Sequence, residues 1–336
     1  VLGPEASRKQ RTALESAGPF QTSDPADVRW LLCGRGRPVA AGTSPYAVIG
    51  DHGRAQVLFQ DIEAVRIAAE ERWEELGYEP VPYPWYEPAP QELPQPDLSA
   101  LRRFLGPEEL DRYRSAGRDT AEAVASSLER LRPASRELDA TAELARQLNE
   151  RGFTTPVLLA GGEARAPLYR HPLPTDEELG RFVLLAVTAE RDGLHVSMTR
   201  IVSFGPAPEE LQERVLAAAQ VDGAVLAASR PGATVAELFD VLVGAYAELG
   251  LDGEWRHHHQ GGLTGYAGRE LFATPGDPTA LPPACAVAWN PSVTGGGKSE
   301  DTALVTADGV EVITRTPELP ELATAAGIPR SAIVEL

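Results

Sequence analysis

Beyond residue 170 this 336-residue chain carries five of its six histidines: His171, His195 and the run His257-His258-His259. They share that region with charged groups that suit them chemically. Glu300 stands in Gly295-Gly-Gly-Lys-Ser-Glu-Asp301, two residues after Lys298, and Arg269 directly precedes Glu270. A carboxylate beside an imidazole orients one ring nitrogen and stabilises the imidazolium, leaving the other nitrogen to move a proton near neutral pH. His171 and Glu300 are the pair such chemistry would use. Arg269 offers a rigid fork for a substrate carboxylate or phosphate, or is spent on Glu270 or another acidic group. In an extended segment His257 and His259 would share one face and His258 the other. Two such imidazoles make part of a zinc or copper site, with His195 and Glu300 as candidate further ligands. The run reads sooner as histidines that only hydrogen-bond or pack, and Lys298 as a solvated turn residue. Gly295-Gly-Gly-Lys-Ser299 is not a phosphate loop: the full spacing is absent and a strand, not a helix, follows. Gly34-Arg-Gly-Arg-Pro38 lacks a third glycine and a following helix, and reads as a turn.

The elements that must position these groups fall into two regions. Residues 1–96 read as a small α/β domain. It has an amphipathic helix near residues 4–17, a strand over 28–33 and a hairpin of 46–50 with 55–60 around Asp51-His-Gly-Arg54. A helix over 61–76 is stopped by Gly77. Prolines crowd residues 80–96 with Tyr83, Trp85 and Tyr86 among them, which predicts a polyproline-type linker. Residues 97–336 hold a weak internal repeat. One helix opens at Glu109-Leu110 and ends near Arg132-Pro133, and a second runs to Arg151-Gly152. The pattern recurs from Glu210-Leu211 to Arg230-Pro231, and on to Leu249-Gly250. Pro133 lies 19 residues before Gly152, and Pro231 19 before Gly250. Strands follow each pair, over 183–187 and 195–204, then over 284–289 and 303–314. Two α-α-β-β halves predict a pseudo-twofold domain with its site between them.

Composition limits the partners. A formal charge of −18 opposes sequence-independent binding to nucleic acid or an anionic membrane, since both need a basic surface. No apolar run reaches the ~18 residues of a membrane-spanning helix. Cys33 and Cys285 fall in different regions, so a disulfide framework is not expected. With no readable secretory signal at the amino end, a cytoplasmic location is the expectation.

Four tracts in chain order carry a resemblance: Asp24-Pro-Ala-Asp-Val-Arg-Trp-Leu31, Gly193-Leu-His-Val-Ser-Met-Thr-Arg200, Gly261-Gly-Leu-Thr-Gly-Tyr-Ala-Gly-Arg-Glu270 and the closing hairpin over 295–317. Together they resemble the creatinase/prolidase/aminopeptidase P family (M24) of the pita-bread fold, over nearly the whole chain. The resemblance implies an α/β (α+β) protein: a small amino-terminal creatinase-type domain, 1–96, followed by a pseudo-twofold pita-bread domain, 97–336. It also implies a homodimer. In the family's metallopeptidases five residues hold two metal ions. The resemblance places those positions on Ala186, Ser197, Gly262, Asn290 and Glu300, of which the last alone is a carboxylate. A dinuclear site needs several carboxylates to offset roughly four positive charges, so no metal and no cofactor are expected.

His171, in Leu168-Tyr-Arg-His-Pro, falls on the histidine that the family places beside the scissile group. In creatinase, a metal-free enzyme of this fold, the matching histidine is the main proton shuttle and the matching Glu its partner. The Tyr266-Ala-Gly-Arg-Glu270 tract is closer to creatinase than to the peptidases, and His258 aligns with a conserved histidine before the Gly-rich turn. The expectation is a metal-independent enzyme acting on a small amide-, amidine- or amino-acid-like molecule, by C–N hydrolysis or by cyclisation or elimination. His171 would act as general acid/base with Glu300. His258, His259, Arg269, Lys298, Tyr266, Ser197 and Asn290 would hold the substrate. The alternative is a catalytically silent domain that binds a peptide or protein, as metal-free members of this fold do in chromatin factors.

Overall fold

The structure, a computed structural model, describes residues 2–39, 46–316 and 318–336. Pro317, the last residue of the closing hairpin tract, lies outside them. The backbone falls into two compact units: Val1–Glu108 with Asp192–Leu194, and Glu109–Arg191 with His195–Leu336.

In the first unit α1 (Pro4–Ala17) begins with proline in its first turn and stops at Gly18, whose φ of 70° no other residue adopts as readily. Strand β1 (Phe20–Thr22) precedes a correction to the sequence reading: residues 28–33 are not a strand. Residues 28–31 belong to α2 (Pro25–Leu31) and 32–33 to the turn after it, because the Asp24 carboxylate accepts hydrogen bonds from the Ala26 and Asp27 amides and Pro25 sits in the first turn. That is an N-cap signal, and it outweighs the β-leaning Val-Arg-Trp-Leu-Leu run. The hairpin forms as expected, from β2 (Tyr46–Asp51) and β3 (Arg54–Gln60) with a two-residue turn at His52-Gly53.

The single helix over 61–76 does not form. One α-turn, α3 (Ala64–Arg66), lies between a 3₁₀ turn and a π-turn, and Arg72 at φ 46° breaks the run before a final 3₁₀ turn and Gly77. Ile62 and Val65 face solvent while Ile67 and Trp73 are buried, so the apolar residues do not make one stripe. The start of the Pro-rich segment is also strand rather than linker: β4 (Glu79–Tyr83) pairs in parallel with β3 at the edge of the sheet β1-β2-β3-β4. Pro80 and Pro82 are two apart, so both missing N–H groups fall on the same, outer edge.

The second unit shows the repeat. Helices α4 (Pro107–Leu128) and α5 (Glu137–Asn149) lead to β5 (Thr154–Gly162), β6 (Phe182–Arg191) and β7 (Leu194–Ser203). Helices α6 (Glu209–Ala228) and α7 (Val235–Glu248) lead to β8 (Gly261–Thr264), β9 (Leu271–Phe272), β10 (Cys285–Trp289), β11 (Ser292–Val293), β12 (Gly297–Lys298), β13 (Asp301–Thr306) and β14 (Gly309–Val312). The halves match in detail at the second helix of each. Arg136 and Thr234 stand three residues after the equivalent prolines and open α5 and α7, their amides donating to Asp139 Oδ2 and Glu237 Oε2. Each also makes an isolated β-bridge, to Glu178 and to Ala280. Gly152 and Gly250, after the two helices, have φ of 80° and 70°, the left-handed stop that the 19-residue spacing implied.

A large core lies between α6, α7 and the sheet β14-β13-β10-β8-β9, where Val225, Leu238, Leu242, Tyr246, Val287 and Trp289 pack together. The other sheet, β5, β6 and β7, gains a short parallel strand from β17 (Val334–Glu335), which follows β15 (Glu321–Leu322) and β16 (Arg330–Ser331). Among the described residues Cys33 and Cys285 form no disulfide, and no helix is long and apolar enough to cross a membrane.

Candidate functional site

Strand β13 starts directly after Glu300, and a buried charge network anchors that start. Arg330 donates from Nε to Asp222 Oδ2 at 2.7 Å and from Nη2 to Asp301 Oδ2 at 2.5 Å, and Arg200 Nη2 reaches Asp301 Oδ1 at 2.9 Å. Ser299 Oγ donates to Asp222 Oδ2 at 2.6 Å. Both neighbours of Glu300 are thereby tied to α6, β7 and β16, which leaves the Glu300 side chain one direction in which to project.

That direction is a cavity of about 390 Å³ in the second unit, lined among others by His171, His195, His259, Arg269, Asn290, Lys298 and Glu300. The Glu300 carboxylate is already engaged. Thr199 Oγ1 donates to Oε2 at 2.8 Å, Arg269 Nη2 donates to Oε1 at 3.0 Å, and Lys298 Nζ lies 4.0 Å from Oε2. Arg269 also donates to Ser197 Oγ at 3.3 Å, and Ser197 shares a hydrogen bond with Thr188. Arg269 is thus spent on Glu300, not on Glu270.

The histidines form a second group. His258 Nε2 and His171 Nε2 are 3.1 Å apart. The His258 and His259 rings stack with centroids at 4.3 Å, and Phe272 meets His259 edge-on. Nitrogens of His171, His258 and His259 all lie within 4.8 Å of one another. Two expectations change here. His257 ends a 3₁₀ turn and lines a different cavity with Arg170 and Tyr169, so the paired rings are 258 and 259 rather than 257 and 259. His171, moreover, is held by His258 and not by Glu300: among the described residues the hydrogen bonds of Glu300 go to Thr199 and Arg269.

Burial and the nearby Lys298 ammonium push His171 below its ordinary value. Burial, then Lys298, takes His258 down to about 2. Burial, then Arg269, takes His259 to about 4. All three rings are neutral at neutral pH. Lys298 is itself lowered by burial, an effect that the Glu300 charge opposes. It is no solvated turn residue: 6% of it is exposed.

A pH dependence follows. Unfolding returns His258 and His259 to the ordinary value of 6.5, so below that pH the unfolded chain binds protons that the folded chain refuses. The stability these rings contribute is complete above about pH 6.5 and falls with pH, by about 1.4 kcal/mol per unit for each ring. For His259 the loss ends near 4, and for His258 near 2. Urea unfolding should give a lower midpoint at about pH 5 than at about pH 7, with a shallower fall in His258→Asn. Equal slopes in the two proteins would refute the assignment.

The metal-ligand positions can now be tested against the fold. Ala186, on β6, lines the cavity but offers no donor, and Asn290 offers an amide. Gly262 cannot stand for a histidine at all. Its φ is 144°, and a Cβ there would lie 2.1 Å from the Leu271 carbonyl oxygen across the β8–β9 pair. The imidazoles that reach this region come from residues 258 and 259 instead. Ser197 is fully buried behind Arg269 rather than on the cavity wall. Tyr266, placed among the substrate-binding residues by sequence, donates to Glu109 Oε1 at 2.8 Å and is absent from the cavity lining. With one carboxylate, shared between two cations, the donor set does not fit a dinuclear centre. The three imidazoles could offer three neutral nitrogens to one ion, beside two positive charges that oppose it.

Sequence reasoning missed Thr199, which clamps Glu300; its only signal was its place in Ser-Met-Thr-Arg200. It also missed the wall that β5 supplies through Val157 and Leu159, and the apolar mouth made by Val157 and Phe272, 41% and 50% exposed.

Comparison with known proteins gives a consistent result. Solved structures resemble the chain along almost its full length. Dipeptidase PepE from Mycobacterium ulcerans superposes with a TM-score of 0.72 at 18% identity, covering 93% of this chain and 96% of that one. Prolidase from Pyrococcus furiosus gives 0.71 at 20% identity, covering 92% and 100%. The N-terminal domain of FACT complex subunit SPT16 from Cicer arietinum gives 0.64 at 14%, covering 92% and 93%. No curated protein sequence matches the chain. At these identities the structural likeness establishes the pita-bread fold and not the reaction. The model of the metallopeptidase family M24 matches residues 111–307, more than half of the sequence, and the chain belongs to that family.

Proposed function

We propose that this protein is an enzyme that transforms a small amide-, amidine- or amino-acid-like molecule by proton transfer through histidine, without the two-metal centre of the M24 peptidases. The observation that carries this reading is the state of Glu300. Where the family's last metal ligand stands, this chain places a carboxylate neutralised by its own buried cations, Arg269 and Lys298, at 3.0 and 4.0 Å. His171 and His259 line the cavity with it, and His258 lies 3.1 Å from His171; all three imidazoles are neutral, and His171 is the most exposed. A neutral imidazole takes a proton from water or substrate and returns it to a leaving nitrogen. Without a metal to polarise the carbonyl or acidify water, a polarised C–N bond suits this site better than an ordinary peptide. Cyclisation or elimination would use the same two proton transfers. In this mechanism His258 positions His171, and Arg269 holds Glu300.

A second reading is binding without turnover. It is favoured by the likeness to the SPT16 domain and by the charge of −18, which would suit a basic peptide or protein. Metal analysis of the purified protein, joined to a screen of amides, amidines and amino-acid derivatives with and without chelator, separates the possibilities. Turnover that survives chelation in protein holding well under one metal ion per chain is the expected result. Stoichiometric metal together with chelator-sensitive turnover overturns the metal-independent reading, and no turnover of any compound favours the binding reading.

A further inference from the structure

Two residues that line the same cavity carry polar atoms without hydrogen-bond partners. Lys298 is 6% exposed, yet among the described residues its ammonium donates no hydrogen bond. Its ion-pair partner, Glu300 Oε2, is 4.0 Å away, beyond hydrogen-bonding reach. An ammonium carries three donors, and a desolvated one with no acceptor is strongly disfavoured. Asn290, 3% exposed, has a buried Oδ1 with no hydrogen-bond partner. The two are neighbours in the fold: Asn290 lies two residues before the β11–β12 hairpin, in which Ser292 pairs with Lys298. Both line the cavity with His171, His259, Arg269 and Glu300.

Charge points the same way. Lys298 and Arg269 contribute two positive charges and Glu300 one negative, and Arg269 Nε is a further buried donor without a partner. The pocket thus has an uncompensated positive charge and unused donors, with an unpartnered acceptor, Asn290 Oδ1, close to Lys298. A ligand that completes it brings one carboxylate and one N–H donor.

We propose that Lys298 and Asn290 form a recognition pair for a free α-amino acid or a close derivative, Lys298 taking the carboxylate and Asn290 Oδ1 an N–H of the nitrogen. The proposal rests on the reading of this cavity as the substrate site and narrows the substrate class. The mouth of Val157 and Phe272 gives the side chain an apolar exit.

Binding is measured by calorimetric titration of the full chain with the standard free amino acids at millimolar concentration. The best binder is then compared with its carboxamide and with its deamino acid. The amino acid should bind at least about tenfold more tightly than either analogue, because each leaves one partner unmatched. Lys298→Met should weaken the amino acid by about ten- to a hundredfold and leave the carboxamide unchanged. Asn290→Ala should weaken the amino acid and the carboxamide but not the deamino acid. Lys298→Arg, which keeps the charge, should retain part of the binding and serves with melting curves as the folding control. No binding of any amino acid by the wild type, or a Lys298→Met loss equal for acid and carboxamide, overturns the proposal. Because binding is read without turnover, a protein that binds amino acids in this way but transforms none of them sinks the catalytic reading and leaves the recognition pair standing.

Discussion

Arg330→Met should destabilise the folded chain by about 3–5 kcal/mol, the effect of stranding buried carboxylates by removing their shared partner. Arg330 is 1% exposed and bridges Asp222 and Asp301, themselves 1% and 4% exposed. Burial pushes the Asp222 carboxyl above its usual range, and Arg330 is the largest influence that opposes it. Methionine fills a similar volume but, among the described residues, leaves Asp222 only Ser299 Oγ, and Asp301 only Arg200 and Thr314. Urea or thermal unfolding reads the effect directly. A loss below about 1 kcal/mol would show that water or rearrangement replaces the guanidinium. The triple replacement Asp222→Leu, Arg330→Met, Asp301→Leu should recover part of the loss, since burying no charge avoids the desolvation penalty. The network also serves the site. Ser299 and Asp301 flank Glu300, so the partly folded variant should lose ligand binding before it loses its helices.

How far the sequence carried depends on whether a feature was local. The second-unit repeat was legible because its signals are local and strong: a proline after the first helix and a glycine stop after the second. These recur at Pro133 and Gly152 and at Pro231 and Gly250. Val28-Arg-Trp-Leu-Leu-Cys33 has the side chains of a strand, and Asp24-Pro25 reads as a turn entering it; the same pair is the N-cap and first-turn proline of α2, a local signal that decides a short helix. Residues 61–76 carry apolar side chains at roughly helical spacing, yet Ile62 and Val65 face solvent, so the spacing does not mark one buried stripe. The site was legible as a set of residues and illegible as a set of contacts. His171, His259, Asn290, Lys298, Arg269 and Glu300 do share one cavity. That Glu300 would be taken by Arg269 and Thr199, leaving His171 to His258, depends on pairings of residues 31, 101 and 87 positions apart, which no pattern in the chain announces. Gly262 shows the converse. Aligning a histidine on it was reasonable by motif and impossible by space, because the β9 carbonyl already fills the position.

The largest functional effect should come from His171→Ala. His171 lines the cavity, sits nearest to solvent of the three rings and is neutral at neutral pH, so it is the ring best able to exchange a proton with a substrate. General acid–base groups contribute about 10²–10⁴-fold, and a loss of that size in kcat, with little change in KM, is expected for any substrate the protein turns over. His258→Ala should lower kcat less. The remaining His171 ring keeps its chemistry but loses the Nε2 partner 3.1 Å away that fixes its tautomer and orientation. Because His258 acts through His171, the double variant should be no worse than His171→Ala alone; additive losses would mean that the two rings act on different protons. The pH profile gives an independent reading. Burial and Lys298 hold His171 below its ordinary value, so the basic form is available through neutral pH and activity should fall only on the acid side of the ordinary histidine range. Lys298→Met removes the cation that contributes to this, and should move the acid limb to higher pH. An acid limb that stays in place in Lys298→Met, or turnover unchanged in His171→Ala, would remove His171 from the reaction.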